Sequence, residues 1–305
     1  MRVATLLPSA TEIVCSLGMG DHLVGVSHCC HHPSHVQNLP RLTSTRVPVD
    51  ATSATIDSYV REHLEENSAL YDLDMQALHD AAPDVIVSQT LCDVCAVSTG
   101  DVLAALRSLP SRPVLVDLKP STLADVLEDC LRVGDAMGRG EAAHQLVAAL
   151  RRRLDEIAMR TARIEATAKP RVVFLEWLDP PFNGGHWNPE IVERAGGIDM
   201  LGTHGQASTT ITWEAVAAAD PDVLFVACCG LPVQRALSDL RSIAQRPEWA
   251  ELRAVKAGRV FVANGNDYFA CPGPRLVDSL EIIAHALHPE IHPDLHPTSR
   301  ATVAG

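Results

Sequence analysis

Ala82-Pro83-Asp84-Val85-Ile86-Val87 and Asp220-Pro221-Asp222-Val223-Leu224-Phe225-Val226 are two versions of one phrase, and their reading decides the fold. Each reads as a helix end, a Pro-Asp turn and an almost wholly apolar run. A run without polar alternation fits a strand covered on both faces, as in a parallel sheet flanked by helices. The phrase therefore predicts two related α/β halves. Each copy then runs into cysteines, Cys92 and Cys95 after the first and Cys228 and Cys229 after the second. Open parallel sheets gather ligands outside the carboxyl ends of their strands, so these thiols fall where a ligand is expected.

The flanking segments share that grammar. Met1 to Pro8 reads as a strand, and Ser9-Ala10-Thr11-Glu12 has the spacing of a capping box opening a short helix. Val24 to Ser27 reads as a second strand, followed by the loop His28-Cys29-Cys30-His31-His32-Pro33. A helix over 74–81 leads into the strand 85–88, and 114–116 forms another. After a helix over 122–136, the apolar spacing of Leu146, Leu150, Leu154, Ile157 and Ile164 predicts a long helix from Glu141 to about Glu165. Lys169-Pro170 ends it, and Arg171-Val172-Val173-Phe174-Leu175 opens the second half. That half continues through a helix over 213–219, the second Pro-Asp strand, a strand over 259–263 and a closing helix over 275–287. The predicted organisation is an N-terminal α/β lobe (1–118), connecting helices (119–168), a C-terminal α/β lobe (169–290) and a flexible tail (291–305).

Composition limits the function. The chain has 305 residues, 47% of them hydrophobic, with a formal net charge of −13. That balance supplies no basic surface for nucleic-acid phosphates or anionic lipid. No stretch is apolar for long enough to span a bilayer, so membrane insertion is not expected. The first residues read as a strand rather than a secretory signal, and nine cysteines without a signal read as thiols, giving a cytoplasmic location as the expectation. A monomer is expected.

Taken in order, these segments resemble the class III periplasmic binding proteins, most closely the cobalamin-binding branch with its Fe/B12 periplasmic-binding domain. The resemblance rests on Leu6-Leu7-Pro8-Ser9-Ala10-Thr11-Glu12, on the run from Gly18 to Ser27, on the two Pro-Asp-Val strands, on the stretch from Trp249 to Val260 and on Pro272-Gly273-Pro274-Arg275. It implies two α/β lobes with mainly parallel sheets joined by a single long backbone helix, with the ligand in the cleft between the lobes. It also implies a binding protein rather than an enzyme, delivering cobalamin, haem, iron-siderophores or metal ions to an ABC permease. The chain departs from exported members in its cysteine-rich loops and in lacking a visible signal.

Three functional readings follow. The first is a soluble protein holding a corrinoid or related tetrapyrrole chelate, with Ser9, His28, Trp177, His186, Trp187 and Tyr268 as ligand-binding residues. The stretch from Glu176 to Glu190 reads as a long loop whose Trp177 and Trp187 could stack on a flat macrocycle, although large aromatics serve equally well in packing. The second is a cytoplasmic metal-thiolate protein or metalloenzyme in which Cys30, Cys92, Cys95 and Cys229 hold zinc or an iron-sulfur cluster; the spacing Cys92-Asp93-Val94-Cys95 lets two thiolates reach one ion. Cysteine is also a frequent core residue, the reading for Cys15 and Cys130, while Cys29, Cys228 and Cys271 are weaker candidates. The third is an ABC transporter substrate-binding protein whose signal is missing.

Overall fold

In the computed structural model, which describes residues 1–66, 68–89, 97, 99–293 and 302–303, the two Pro-Asp phrases fold alike. Each follows a helix capped by a residue in the left-handed region, Ala82 at φ 38° and Asp220 at φ 39°. Each aspartate then clasps the arginine that opens the neighbouring parallel strand. Asp84 accepts the Arg2 backbone N–H at 2.7 Å, and Asp222 accepts that of Arg171 at 2.9 Å. The Asp84 and Asp222 backbone N–H groups donate back to the Arg2 and Arg171 carbonyls, both at 2.8 Å. The two arginine side chains donate to equivalent carbonyls, Ala81 at 2.8 Å and Ala219 at 2.6 Å.

The chain separates into two units. The first comprises Met1–Ala51, Thr55–Pro120 and Ala124–Ala149; the second comprises Thr52–Ala54, Ser121–Leu123 and Leu150–Gly305. In chain order the first half carries β1 (Val3–Thr5), α1 (Pro8–Ser16), β2 (Leu23–Val26), β3 (Thr43–Thr45), α2 (Ser53–Glu65), β4 (Tyr71–Leu73), α3 (Met75–Ala81), β5 (Val85–Gln89), α4 (Thr99–Ser108), β6 (Val114–Leu118), α5 (Leu123–Ala136) and α6 (Gly140–Thr161). A parallel sheet in the order β2-β1-β5-β6 forms its centre, and β3 and β4 make a separate antiparallel ribbon. The strand β5 is buried along its whole length, its apolar Val85-Ile86-Val87 together with the polar Ser88 and Gln89.

The long helix α6 has 22 residues, about 33 Å at 1.5 Å per residue, and passes from the first unit into the second. The second unit continues with β7 (Arg171–Leu178), β8 (Pro181–Asn183), α7 (Asn188–Arg194), β9 (Ile198–Asp199), α8 (Trp213–Ala219), β10 (Val223–Val226), α9 (Val233–Ile243), α10 (Pro247–Glu251), α11 (Arg253–Lys256), β11 (Val260–Val262), α12 (Leu276–Leu287) and β12 (Thr302–Val303). Its sheet runs β12-β11-β10-β7-β8, with β9 also on β7. The strands β7, β9, β10 and β11 are parallel, whereas β8 and β12 are antiparallel. Phe174, Phe225 and Phe269 stack at the centre, with ring centroids 5.4 to 5.5 Å apart.

Three expectations change. Pro8 occupies the first turn of α1, which moves the helix start back to Leu7, so Ser9 lies inside the helix and makes no capping box. The stretch expected as one long loop after residue 175 is the β7–β8 hairpin, in which Leu175 and Trp177 pair with Asn183 and Phe182, then a short turn over 184–187 and the start of α7. Within the stretch expected as a flexible tail, Thr302 and Val303 pair with Val262 and Phe261 as an edge strand.

Candidate functional site

Ligands of parallel sheets gather at the carboxyl ends of the strands, and there the two units present different side chains. In the first unit these ends carry small polar groups and thiols. Ser9 is 1% exposed, and its hydroxyl has no hydrogen-bond partner. Thr5 and Thr11 share a hydrogen bond of 2.6 Å, and Thr11 also meets the Cys30 sulfur at 3.0 Å. Cys30 is fully buried, and burial, against the hydrogen bond from Thr11, pushes its thiol up to about 11. As a free thiol it stays protonated at neutral pH.

His28 is half-buried, and both of its ring nitrogens are engaged. Nδ1 lies 2.7 Å from the Thr43 hydroxyl on β3, and Nε2 lies 2.9 Å from the Cys29 sulfur. Tyr71 on β4 covers the ring at a centroid distance of 5.7 Å. Burial, and then the charge of Arg41, hold the imidazole below its usual range. The contacts of Thr43 and Tyr71 depend on the β3–β4 ribbon, which carries no strong strand signal in the sequence.

In the second unit the organising residue is Glu176, near the end of β7. Its Oε1 accepts the Gly185 backbone N–H and the Asn188 side-chain amide, both at 2.7 Å, and its carbonyl accepts the Cys229 N–H at 2.9 Å. It thereby ties the β8–α7 turn to the end of β10. A Cβ on Gly185 would fall 2.2 Å from the Ser208 backbone nitrogen, so the turn admits only glycine there. The next residue, His186, is held at φ 51°, its Nδ1 is buried without a hydrogen-bond partner and its ring stacks on Trp187 at 5.4 Å. A left-handed non-glycine residue costs on the order of 1 kcal/mol or more and is maintained by its surroundings.

The tryptophans divide. Trp187 is 5% exposed and donates its indole N–H to the Phe269 carbonyl at 2.8 Å, so it packs the interior and offers no stacking wall. Trp177 is half-buried against the second unit's core, with its indole N–H between the Ser53 and Asp179 carbonyls at 3.3 and 3.2 Å. Tyr268, also half-buried, lies under the Arg275 guanidinium, 5.1 Å from the ring centre.

The four-thiol arrangement is not assembled among the described residues. Cys92 and Cys95 lie outside them, Cys229 is exposed, and no group of three or more His, Cys, Asp or Glu able to hold a metal occurs among the described residues. Burial pushes the Cys130 thiol up to about 12 and also raises that of Cys228, which fits core packing.

A family model described as periplasmic binding protein matches residues 3–266. The chain belongs to the periplasmic binding protein family. This substrate-binding protein is 23% identical to an uncharacterized ABC transporter substrate-binding lipoprotein of Bacillus subtilis, over 95% of the chain and 80% of the relative. It is 22% identical to a vitamin B12-binding protein of Vibrio cholerae, over 92% of the chain and 86% of that protein. Among solved structures, a periplasmic heme binding protein from Pseudomonas aeruginosa superposes with a TM-score of 0.72 at 21% identity, covering 98% of this chain and 95% of that one. A periplasmic vitamin B12 binding protein of Vibrio cholerae gives 0.68 at 21% identity, covering 96% and 98%. These matches correct the expected location. The family model and both of these solved proteins are described as periplasmic and the Bacillus relative as a lipoprotein, which overturns the cytoplasmic expectation and points to an extracytoplasmic location. No helix among the described residues is long and apolar enough to cross a membrane.

Proposed function

We propose that this substrate-binding protein takes a corrinoid and passes it to an ABC permease. The observation that carries the reading is the match to vitamin B12-binding proteins along nearly the whole chain, 92% of it in the Vibrio cholerae case. The second unit supports it with groups suited to a large, flat, amide-rich ligand. His186 brings an imidazole with a buried, unpartnered Nδ1 on a strained turn, while Trp177 and Tyr268 are half-buried aromatics. In the first unit Ser9 brings a buried hydroxyl with no partner inside the protein. Unpaired buried polar atoms cost on the order of 1–3 kcal/mol each, a cost that a ligand able to hydrogen-bond with them removes. The metal of such a ligand is part of the cargo.

Titration of the purified protein with cyanocobalamin, hydroxocobalamin and haem, followed by calorimetry and visible absorption, tests the reading. Saturable cobalamin binding with thermal stabilisation is the expected result. Binding of haem alone would transfer the assignment to the haem branch, and binding of none of the three would refute a tetrapyrrole ligand.

A further inference from the structure

One cluster in the first unit has the geometry of a nucleophile with its base. The Thr43 hydroxyl has one hydrogen and two lone pairs. It gives its hydrogen to the Ser27 hydroxyl at 3.1 Å and accepts the His28 backbone N–H at 3.0 Å. With its hydrogen directed to Ser27, the hydroxyl keeps one lone pair facing His28 Nδ1 at 2.7 Å, and in that arrangement Nδ1 carries the ring hydrogen. In the neutral ring Nε2 is then bare, and it faces the Cys29 sulfur at 2.9 Å. Burial, with the charges of Arg41 and His31, lowers the basicity of His28, so the ring is neutral at pH 7 and its role as base rests on the 2.9 Å approach to the Cys29 sulfur. A thiol, an imidazole and a third group that orients the imidazole form the recurring pattern of an activated nucleophile.

We propose that Cys29 is a nucleophilic thiol with His28 as its general base and Thr43 as the residue positioning that base, and that it captures low-molecular-weight disulfides as mixed disulfides. His28 Nε2 takes the thiol proton, and the Cys29 thiolate attacks one sulfur of the disulfide R–S–S–R. The new sulfur–sulfur bond forms as the old one breaks, and the departing thiolate takes the proton from His28 to leave as R–SH. Cys29 is oxidised, one half of the disulfide is reduced, and no further reagent is required.

The other described thiols are less suited. Cys30, Cys130, Cys228 and Cys271 are buried, and Cys15 is pushed up to about 11 by burial, Glu12 and Asp21. The neighbouring Cys30 thiol, held by Thr11 and raised to about 11, is poorly placed to displace the adduct. Cys29 is half-exposed beside a cavity of about 20 Å³ that it lines with Leu6, Pro8, Thr43 and Tyr71. That space holds roughly one water, so the captured group remains at the surface. An extracytoplasmic location is the compartment in which disulfides persist.

The reduced full-length protein is treated at pH 7 with glutathione disulfide or the uncharged bis(2-hydroxyethyl) disulfide, quenched with acid, and every cysteine is followed by peptide mass mapping. An ordinary thiol is about 3% ionised at pH 7, so full deprotonation gains at most about 30-fold. Part of that is lost because a less basic sulfur is a weaker nucleophile. Cys29 is therefore expected to react about tenfold faster than the exposed Cys229 with both reagents. His28→Asn should bring Cys29 down to the Cys229 rate while leaving Cys229 unchanged. Thr43→Val should slow Cys29, and Thr43→Ser should restore it. A wild-type Cys29 no faster than Cys229, a preserved Cys29 rate in His28→Asn, or reaction with the charged disulfide alone would overturn the proposal. Should His28→Asn fail to fold, the wild-type comparison and the two Thr43 variants still decide it.

Discussion

Removing the Asp222 carboxylate should destabilise the second unit far more than removing its counterpart Asp84 destabilises the first. Asp222 accepts the Arg171 N–H at 2.9 Å and an Arg253 nitrogen at 2.8 Å, and its side chain is 29% exposed. A hydrogen bond to a charged acceptor contributes about 1.5–3 kcal/mol. The Arg253 pair, on an exposed arginine, adds little after solvent screening. Asp222→Ala should thus cost about 2 kcal/mol, a fall of roughly 4–8 °C in the transition of a unit of this size. Asp84 makes the same backbone contact at 2.7 Å, but its side chain is 57% exposed, so water replaces the lost acceptor and the expected cost is under about 1 kcal/mol. Burial opposes the charge of Asp222, yet the Arg171 N–H and Arg253 outweigh it and hold the carboxyl below its usual range. An acid depressed in the folded state stabilises above its unfolded pKa, about 3.9, and loses that contribution as the pH falls through its folded pKa. Differential scanning calorimetry from pH 3 to 8 should therefore show a gap between wild type and Asp222→Ala that is constant above about pH 5 and closes below about pH 4. Equal losses for Asp84→Ala and Asp222→Ala, or a gap that persists at low pH, would refute the reasoning.

Other expectations follow from single contacts. Phe225→Ala removes a fully buried ring stacked on Phe174 and tilted against Phe269 and should cost about 3–5 kcal/mol, read as an early thermal transition. Gly185→Ala should disturb the turn before His186, because its Cβ meets backbone at 2.2 Å, whereas a Cβ on Gly258 meets nothing within 4 Å and only its positive φ opposes the change. Asp199 is pushed up to about 6 by burial, despite hydrogen bonds from Gly202 and Leu201. A raised acid binds more protons folded than unfolded, so its contribution weakens as pH rises from about 4 to about 6. Asp199→Asn should accordingly gain thermal stability relative to wild type across that window and level off above it; a flat difference would contradict this.

The scaffold was legible because its signals are local and strong. The unbroken apolar runs at 85–87 and 223–226, the helix over 213–219 and the long helical spacing after 140 each state their own conformation. The β3–β4 ribbon was not legible, since Thr43-Ser44-Thr45 and Tyr71-Asp72-Leu73 are three-residue strands with little apolar character. Its consequences were lost with it, including the Thr43 and Tyr71 contacts of His28. The packing of Trp187 was not legible for a related reason. The sequence shows an aromatic-rich stretch but not which ring turns inward, and that depends on the distant Phe269 carbonyl that accepts its N–H. Glu176 was hidden most completely, as one acidic residue among 38 acidic residues whose importance comes from three contacts made after folding.

That difference separates stability from binding within each unit. The clasps of Asp84 and Asp222 stand at the amino ends of β5 and β10, opposite the ends where parallel sheets collect ligands. Substitutions there should lower the thermal transition and leave ligand affinity unchanged in the protein that remains folded. Glu176 stands at the other end, and its carboxylate holds the turn that carries His186. Glu176→Ala leaves the Gly185 N–H and the Asn188 amide without their acceptor, at a cost of about 2–3 kcal/mol for buried donors. It should also release His186 from its left-handed conformation, so affinity falls together with stability. Glu176→Gln keeps an oxygen for both donors and should recover most of each loss. Calorimetric titration of the three variants with cobalamin, below their transition temperatures, separates the two effects. If Asp222→Ala weakens binding as much as Glu176→Ala does, the clasp and the site belong to one cooperative structure and the division by strand end is wrong.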